Sequence, residues 1–269
     1  MPIIEPFVRW AGGKSWFIPH LTQLTSVIDI NHFHEPFLGG AAVFLALEHK
    51  KKSYLSDVNE DLINAYIQIR DNPQQVIAAL LSYSNTEEDY YRIRSLNLNN
   101  PIEQAARFLY LNQTSYNGLY RVNRSGEYNV PYGFRKNWHY EGNRVLQVSK
   151  KLQKANLQCG DFEINKYKIK RHDLVFLDPP YTVSHNDNGF IEYNKNLFSL
   201  DDQERLCGFI EYIKRKDAYY ILTNAAHPKI KEIFGKEDQP IELMRYSLIG
   251  GKNSERKKIT EYIFTNIRR

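Results

Sequence analysis

Cysteine is scarce in this chain of 269 residues, with Cys159 and Cys207 its only two. Two widely spaced thiols make neither a disulfide framework nor a Cys-x-x-Cys metal site, so neither a stapled scaffold nor a zinc domain is expected. Long apolar runs are missing as well. Apolar residues make up 42% of the chain, yet no uninterrupted stretch approaches the ~20 residues of a membrane helix, so a soluble globular protein of one or two domains is expected. The start, Met-Pro-Ile-Ile-Glu, lacks a basic region followed by an apolar one, which gives no secretion signal and fits a reducing cytoplasm. A glycine is also missing where an ATPase would need one. The stretch FVRWAGGKS (7–15) ends like the phosphate-binding loop G-x-x-x-x-G-K-[ST], but Val8 fills the first glycine position. A β-branched residue there resists positive φ, and no apolar strand leads in. The Trp-Ala-Gly-Gly-Lys turn must hold something else.

The net charge of +5 is modest and unevenly spread. Between Arg107 and Arg144 six Lys or Arg face two Glu, and from Arg245 to Arg269 seven face two, so the rest of the chain is net acidic. Two basic segments, one rich in Tyr and Asn, point to a polyanion such as DNA as partner, although a solvated basic face has the same composition.

No internal repeat or low-complexity tract interrupts the chain. HFHEPFLGGAAVFLALEHK reads as a short strand, a glycine turn, and a helix through Ala41, Phe44, Leu45 and Leu47. KSYLSDVNEDLINAYIQIRDNP gives a strand at Tyr54 and Leu55, an acidic turn at Asp57 and a helix capped near Asn59. Two such units in succession imply a parallel sheet that binds ligands at the carboxyl ends of its strands. From about residue 60 to 145 the pattern becomes helices with polar, aromatic connections. The strands then resume with NLQCGDF, DLVFLDPPY and AYYILTNAA, and TEYIFTN is expected at the sheet edge. The expected division is an α/β domain over 1–58 and 146–269, interrupted by a mainly helical second domain at 59–145.

DLVFLDPPY (173–181) is the most specific signal. An apolar strand delivers a carboxylate, two rigid prolines and an aromatic ring to the substrate end of an open sheet. Asp-Pro alone would be an ordinary strand end. Here Asp178 can accept a hydrogen bond from an exocyclic amino group, Pro179 offers a carbonyl with no competing local N–H, and Tyr181 offers a flat face. The set suits the amino group of a nucleobase, which in duplex DNA must be flipped out at a cost of a few kcal/mol.

DPPY, FVRWAGGK, HEPFLGGAAVF, LSDVNEDLIN and YNGLYRVNRSGEYNVPYG together resemble the Dam-type DNA adenine-N6 methyltransferases (D12 class, alpha group) along almost the whole chain. The resemblance implies a Rossmann-like sheet using S-adenosylmethionine, in a bacterial cytosol, at the nucleoid, or encoded by a phage. WAGGK would be the cofactor loop, with Trp10 near the methyl donor, Gly12 and Gly13 allowing close backbone approach, and Lys14 reaching cofactor and active site. Gly39 and Gly40 would approach the methionine part, with Glu35 and Phe37 nearby. Asp57 would bind the ribose hydroxyls, a role it shares physically with a helix-start aspartate favoured by the dipole. Asp161 and Phe162 would contact the adenine of the cofactor. Asp178 and the Pro179 carbonyl would orient the amino nitrogen for direct attack on the methyl group, Asp178 also touching the cofactor, and Tyr181 would stack on the flipped base.

Neither cysteine follows a proline in the way cytosine-C5 enzymes require, and Asp before Pro-Pro-Tyr disfavours the cytosine-N4 and protein-glutamine types. In the insert, Arg121 would read guanine and Leu119 and Pro131 would meet thymine. Asn117, Asn123, Arg124 and Arg135 would supply intercalating or phosphate contacts. Arg9 stands where Dam members often carry a guanine-contacting Lys, and its planar fork is not equivalent. The site favoured is GATC in double-stranded DNA, for a monomer with no membrane association and a possible cognate restriction endonuclease. The alternatives are a catalytically inactive DNA-binding homologue and an RNA N6-adenine or small-molecule methyltransferase.

Overall fold

The structure, a computed structural model, describes residues 4–49, 51–123, 125–135, 142–181, 198–246 and 258–268. Its strands β1 (Phe33–Glu35), β2 (Ser53–Asp57), β3 (Ala155–Cys159), β4 (Leu174–Leu177), β5 (Tyr219–Ala225), β6 (Ile241–Tyr246) and β7 (Lys258–Thr265) form a sheet ordered β3-β2-β1-β4-β5-β7-β6. Strands β1, β4 and β5 run parallel, as do β2 and β3, whereas β7 is antiparallel to both neighbours. The order reverses between β1 and β4, the switch point outside which doubly wound sheets bind ligands. The expected α/β architecture is therefore present.

One strand expectation is corrected. TEYIFTN is not at the edge, because β7 pairs on both sides and β6 takes the outer place. The sequence IELMRY did not announce itself as a strand. An edge strand needs apolar residues on little of its surface, and charged side chains there discourage further pairing. The helix after the glycine turn is also shorter than expected: α2 covers Ala42–Ala46, and Leu47 is already extended.

By compactness the chain divides into two units, one of Met1–Ile18, Leu38–Glu48 and Lys52–Ile164, the other of Pro19–Phe37, His49–Lys51 and Asn165–Arg269. Helix α1 (Ile18–Thr25) begins at the first of these boundaries. In the first unit, Asn59 caps α3 (Glu60–Asp71) by accepting the Leu62 N–H at 2.9 Å, and Leu62, Ile63, Tyr66 and Ile69 turn inward. Helices α4 (Pro73–Leu81) and α6 (Pro101–Thr114) start on prolines, whose missing N–H costs nothing in a first turn, and Thr86 caps α5 (Glu87–Arg94). Helix α6 buries Ala105, Ala106 and Phe108 to Leu111 against α3 and α4, and α7 (Gly142–Leu152) packs on α3. In the second unit, Ser199 and Asp202 form a capping box at α8 (Leu200–Arg215), which lays Leu206, Phe209 and Ile213 toward β5 and contacts α9 (Pro228–Phe234).

A carboxylate fixes the amino-terminal ends of β1 and β4. Asp173, fully buried, accepts the backbone N–H groups of His32 and Lys170 at 3.0 and 2.9 Å and the imidazoles of His32 and His34 at 3.1 and 3.0 Å. Burial lowers the His34 pKa against the opposing pull of Asp173. Burial raises that of Asp173, but the hydrogen bonds from His34, Lys170 and His32 outweigh it and leave the carboxyl below its usual value. Both groups thus bind fewer protons folded than unfolded, so each contributes stability above its unfolded pKa and loses it as pH falls through the folded one. Urea unfolding should show stability declining below pH ~6.5, where His begins to charge, and further below pH ~4. Asp173→Asn should lose about 1–3 kcal/mol at pH 7 and flatten the more acidic part of that decline.

Candidate active site and nucleic-acid interface

In the first unit the loops after β2 and β3 meet around Asp57. Its two carboxylate oxygens accept the backbone N–H groups of Gly39 at 2.9 Å and Asn59 at 3.0 Å. Burial pushes the Asp57 carboxyl up, and these backbone bonds oppose the shift. Each oxygen retains acceptor capacity for a further hydroxyl donor. The Gly39 carbonyl accepts the Tyr66 hydroxyl at 3.0 Å, so the glycine turn is held at both of its polar atoms. Gly39 has φ of +45°, and a Cβ there would lie 2.8 Å from Trp10 Cδ1; one on Gly40 would lie 3.4 Å from Trp10 Cβ. The turn is glycine because the indole occupies the space of its side chains.

Trp10 also stacks on Tyr120, with ring centroids 5.6 Å apart and planes at 29°, and leans on Phe108. The Tyr120 hydroxyl donates to Asp61 at 2.8 Å. Gly12 and Gly13 are exposed, while Lys14 is buried and donates its Nζ to the Gly12 carbonyl at 2.9 Å. After β3, the Gly160 N–H donates to the Asp57 carbonyl at 3.0 Å. Asp161 is exposed and accepts the Glu163 N–H at 3.1 Å, and Phe162 is buried. Trp10, Gly39, Asp57, Asp161 and Phe162 are thus gathered in this unit, with Gly12 and Lys14 on the same loop as Trp10.

The second unit holds the remaining residues expected at the cofactor and catalytic sites. Glu35 ends β1 in a buried position, and Phe37 packs edge-on to Phe198 at 5.7 Å. Strand β4 is buried throughout and runs into Asp178, whose Oδ1 accepts the Thr223 hydroxyl at 2.7 Å from β5. Pro179 is buried. The Tyr181 hydroxyl donates to Glu261 of β7, whose other oxygen accepts Nε of Arg245 from β6. Burial, then the charges of Asp178 and Glu261, raise the Tyr181 pKa well above that of a free phenol, so it stays a neutral donor. Thr223, Arg245 and Glu261 escaped the sequence reading. The pattern of TEYIFTN gives strand content, and the acidic residue inside that apolar strand is the signal available for a buried partner.

The expected DNA-reading residues that are described lie in the first unit, Arg9 near its start and the others on the irregular segment after α6. Bridges pair Ser115 with Tyr132 and Val122 with Tyr128. Asn117 and Gly118 both have positive φ, +55° and +65°, and the Arg9 side chain lies 2.7 to 2.9 Å from where a Gly118 Cβ would stand. Asn112, buried on α6, clamps Arg9 at both backbone atoms, accepting its N–H at 2.8 Å and donating to its carbonyl at 2.7 Å. Burial first, then the charge of Arg135, lowers the Arg9 pKa. Arg135 donates to the Gln113 carbonyl at 3.2 Å.

Arg121 is exposed and bonded to Asn129 Oδ1 at 2.7 Å; Leu119 and Pro131 are exposed. Asn123 closes its own turn, accepting from Ser125 and Glu127 and donating to the Glu127 carboxylate. Arg124 lies outside the described residues. Tyr116, Val122 and Phe134 add exposed apolar surface that the sequence reading did not single out. Among the described residues no helix is long and apolar enough to cross a membrane, and no group of three or more His, Cys, Asp or Glu is placed to hold a metal.

Comparison with known proteins shows the family. Residues 10–247 match the family described as D12 class N6 adenine-specific DNA methyltransferase. The chain is 35% identical over 98% of its length to the type II methyltransferase M1.LlaDCHI of Lactococcus lactis subsp. cremoris, covering 95% of that protein. It is 35% identical over 87% of its length to the type II methyltransferase M.MjaIII of Methanocaldococcus jannaschii, again covering 87% of the relative. With the retron Ec67 DNA adenine methylase of Escherichia coli it shares 32% identity over 97% of its length and 90% of the relative.

The packing of Trp10 on the glycine turn is testable without ligand. Gly39→Ala adds a methyl group into the indole at an unfavourable φ and should cost about 1–3 kcal/mol in urea unfolding, with a shift in Trp10 emission recorded in a Trp16→Phe, Trp138→Phe background. Gly12→Ala, at φ of +78° but with nothing within 4 Å of the new Cβ, should cost about 1 kcal/mol from backbone strain alone.

Proposed function

Because this chain belongs to the D12 class of N6 adenine-specific DNA methyltransferases, we propose that it transfers a methyl group from S-adenosylmethionine to N6 of an adenine flipped out of a short duplex site. The observation that carries the reading is Asp178 at the carboxyl end of buried β4, beside the switch point, with its carboxylate oriented by Thr223 and Tyr181 fixed close by. Bound S-adenosylmethionine supplies an electrophilic methyl group on a sulfonium centre.

The residues of the first unit have the chemistry to bind such a cofactor. Asp57 keeps acceptor capacity for ribose hydroxyls, Trp10 offers an aromatic wall beside Gly12 and Gly39, and Asp161 and Phe162 offer a polar and an apolar contact for adenine. Lys14 belongs to the same proposed binding set, as do Glu35, Phe37 and Asp178 of the second unit. At the target base, Asp178 and the Pro179 carbonyl accept the two N6 hydrogens and turn the nitrogen lone pair out of conjugation. Charge that develops on nitrogen is thereby stabilised, and the proton released leaves from a group already hydrogen-bonded to a carboxylate. Tyr181 stacks on the base that has lost its neighbours.

Residues 59–145 act in this reading as the target-recognition domain, and 1–58 with 146–269 as the catalytic domain. Arg121 reads guanine, Leu119 and Pro131 meet thymine, and Asn117, Asn123, Arg124, Arg135 and Arg9 hold the duplex, with GATC as the favoured site. The positive segment that bears Arg121 and Arg135, with Arg9 beside it, supports nucleic acid as the partner. The names of the type II relatives support a cognate restriction endonuclease acting on the same site, and a DNA-modifying role fits the cytoplasm.

Transfer of labelled methyl groups from S-adenosylmethionine to unmethylated duplex DNA tests this. Asp178→Ala should lower the single-turnover rate about 10²–10³-fold, the scale of losing one preorganised transition-state contact. Duplex DNA should compete better than RNA of equal length at matched salt. DNA binding without transfer would instead favour the inactive homologue, and preferential transfer to RNA the RNA enzyme.

A further inference from the structure

We propose that Glu261 is a positioning residue for methyl transfer, holding the Tyr181 hydroxyl and so fixing the ring on which the target base lies. The inference rests on the adenine-methyltransferase reading of Asp178 and Tyr181. Glu261 has no exposure and sits on β7 opposite Ala225 of β5 and Leu243 of β6, in the interior of the sheet. A carboxylate there is expensive even when paired, and an apolar pair of similar volume in place of Glu261 and Arg245 would be as stable or more so. Stability therefore gives no reason for the ion pair. The third group in the network does: one Glu261 oxygen takes Arg245 and the other takes the Tyr181 hydroxyl.

The phenol oxygen lies on the long axis of the ring, so a fixed acceptor at that end and the chain at the other define the ring's direction. Arg245 balances the charge of Glu261 at its other oxygen.

The test compares Glu261→Leu combined with Arg245→Leu, Glu261→Gln, Tyr181→Phe, and the Leu pair in the Tyr181→Phe background, by single-turnover methyl transfer to duplex DNA. The Leu pair should lower the rate about 10–100-fold, as expected for a misplaced reacting group, with KM for S-adenosylmethionine changed less than about 3-fold, while Glu261→Gln, which keeps an acceptor oxygen, should recover most of the loss. In the Tyr181→Phe background the Leu pair should add nothing, because the hydroxyl it acts through is gone. An unchanged rate in the Leu pair, or the same loss with and without the Tyr181 hydroxyl, overturns the positioning role while leaving the enzyme reading intact. A wild-type protein that methylates no DNA overturns both. If the Leu pair does not fold, 3-fluorotyrosine placed at Tyr181 gives the answer in Glu261→Gln: a moved fluorine resonance in a protein of unchanged melting temperature supports the contact, and an unmoved one overturns it.

Discussion

Strand β4 runs without exposure from one aspartate to another, and both halves of the second unit's chemistry hang on that fact. Four apolar residues, Leu174 to Leu177, cannot leave the core without losing ~2 kcal/mol or more each, so the positions of Asp173 and Asp178 at their ends are fixed by packing. At the amino end Asp173 is satisfied by His32, His34 and Lys170, which anchors the strand against β1. At the carboxyl end the chain must stop pairing, and two prolines remove the N–H groups that would continue the ladder. What is left is an acceptor-rich corner with a carboxylate, a proline carbonyl and a ring.

The polar groups of that corner are oriented from the following strands. Thr223 on β5 reaches back to Asp178, and Glu261 on β7 reaches Tyr181. The same principle operates in the first unit, where Asp57 at the end of β2 grips the Gly39 and Asn59 N–H groups and the Gly39 turn is shaped to the face of Trp10. Trp10 in turn stacks on Tyr120, flanked in sequence by Leu119 and Arg121, and Asn112 ties down the backbone of Arg9. The loop read as cofactor-binding and the segment read as DNA-contacting thus share one packed cluster within the first unit.

Much of this was legible in the sequence because it is local. The cap at Asn59 depends on a bond to Leu62 three residues on, the β4 strand on four consecutive apolar residues, and the Asp-Pro-Pro-Tyr corner on adjacency. The parts that were not legible depend on long separations. Glu261 meets Tyr181 across 80 residues and Asn112 meets Arg9 across 103, and no pattern in TEYIFTN or FLYLNQT says which residue the partner is. The misplaced edge had a similar cause: a strand's own residues report which face is buried, not whether one or both of its backbone edges are paired. Asn123 is a case at short range. Its residue type suits a nucleic-acid contact, and in the structure its side chain also closes a turn with Ser125 and Glu127 that the sequence pattern did not announce.

In the proposed function the Asp178 to Tyr181 corner methylates adenine at N6 within a defined duplex site. Base-resolution mapping of N6-methyladenine on an initially unmethylated plasmid, after incubation with the purified protein and S-adenosylmethionine, tests it most directly. Modification should be confined to one short motif, with GATC favoured, and absent from plasmid treated with the Asp178→Ala protein. Methylation on cytosine, modification that persists in Asp178→Ala, or an unmodified plasmid would contradict it.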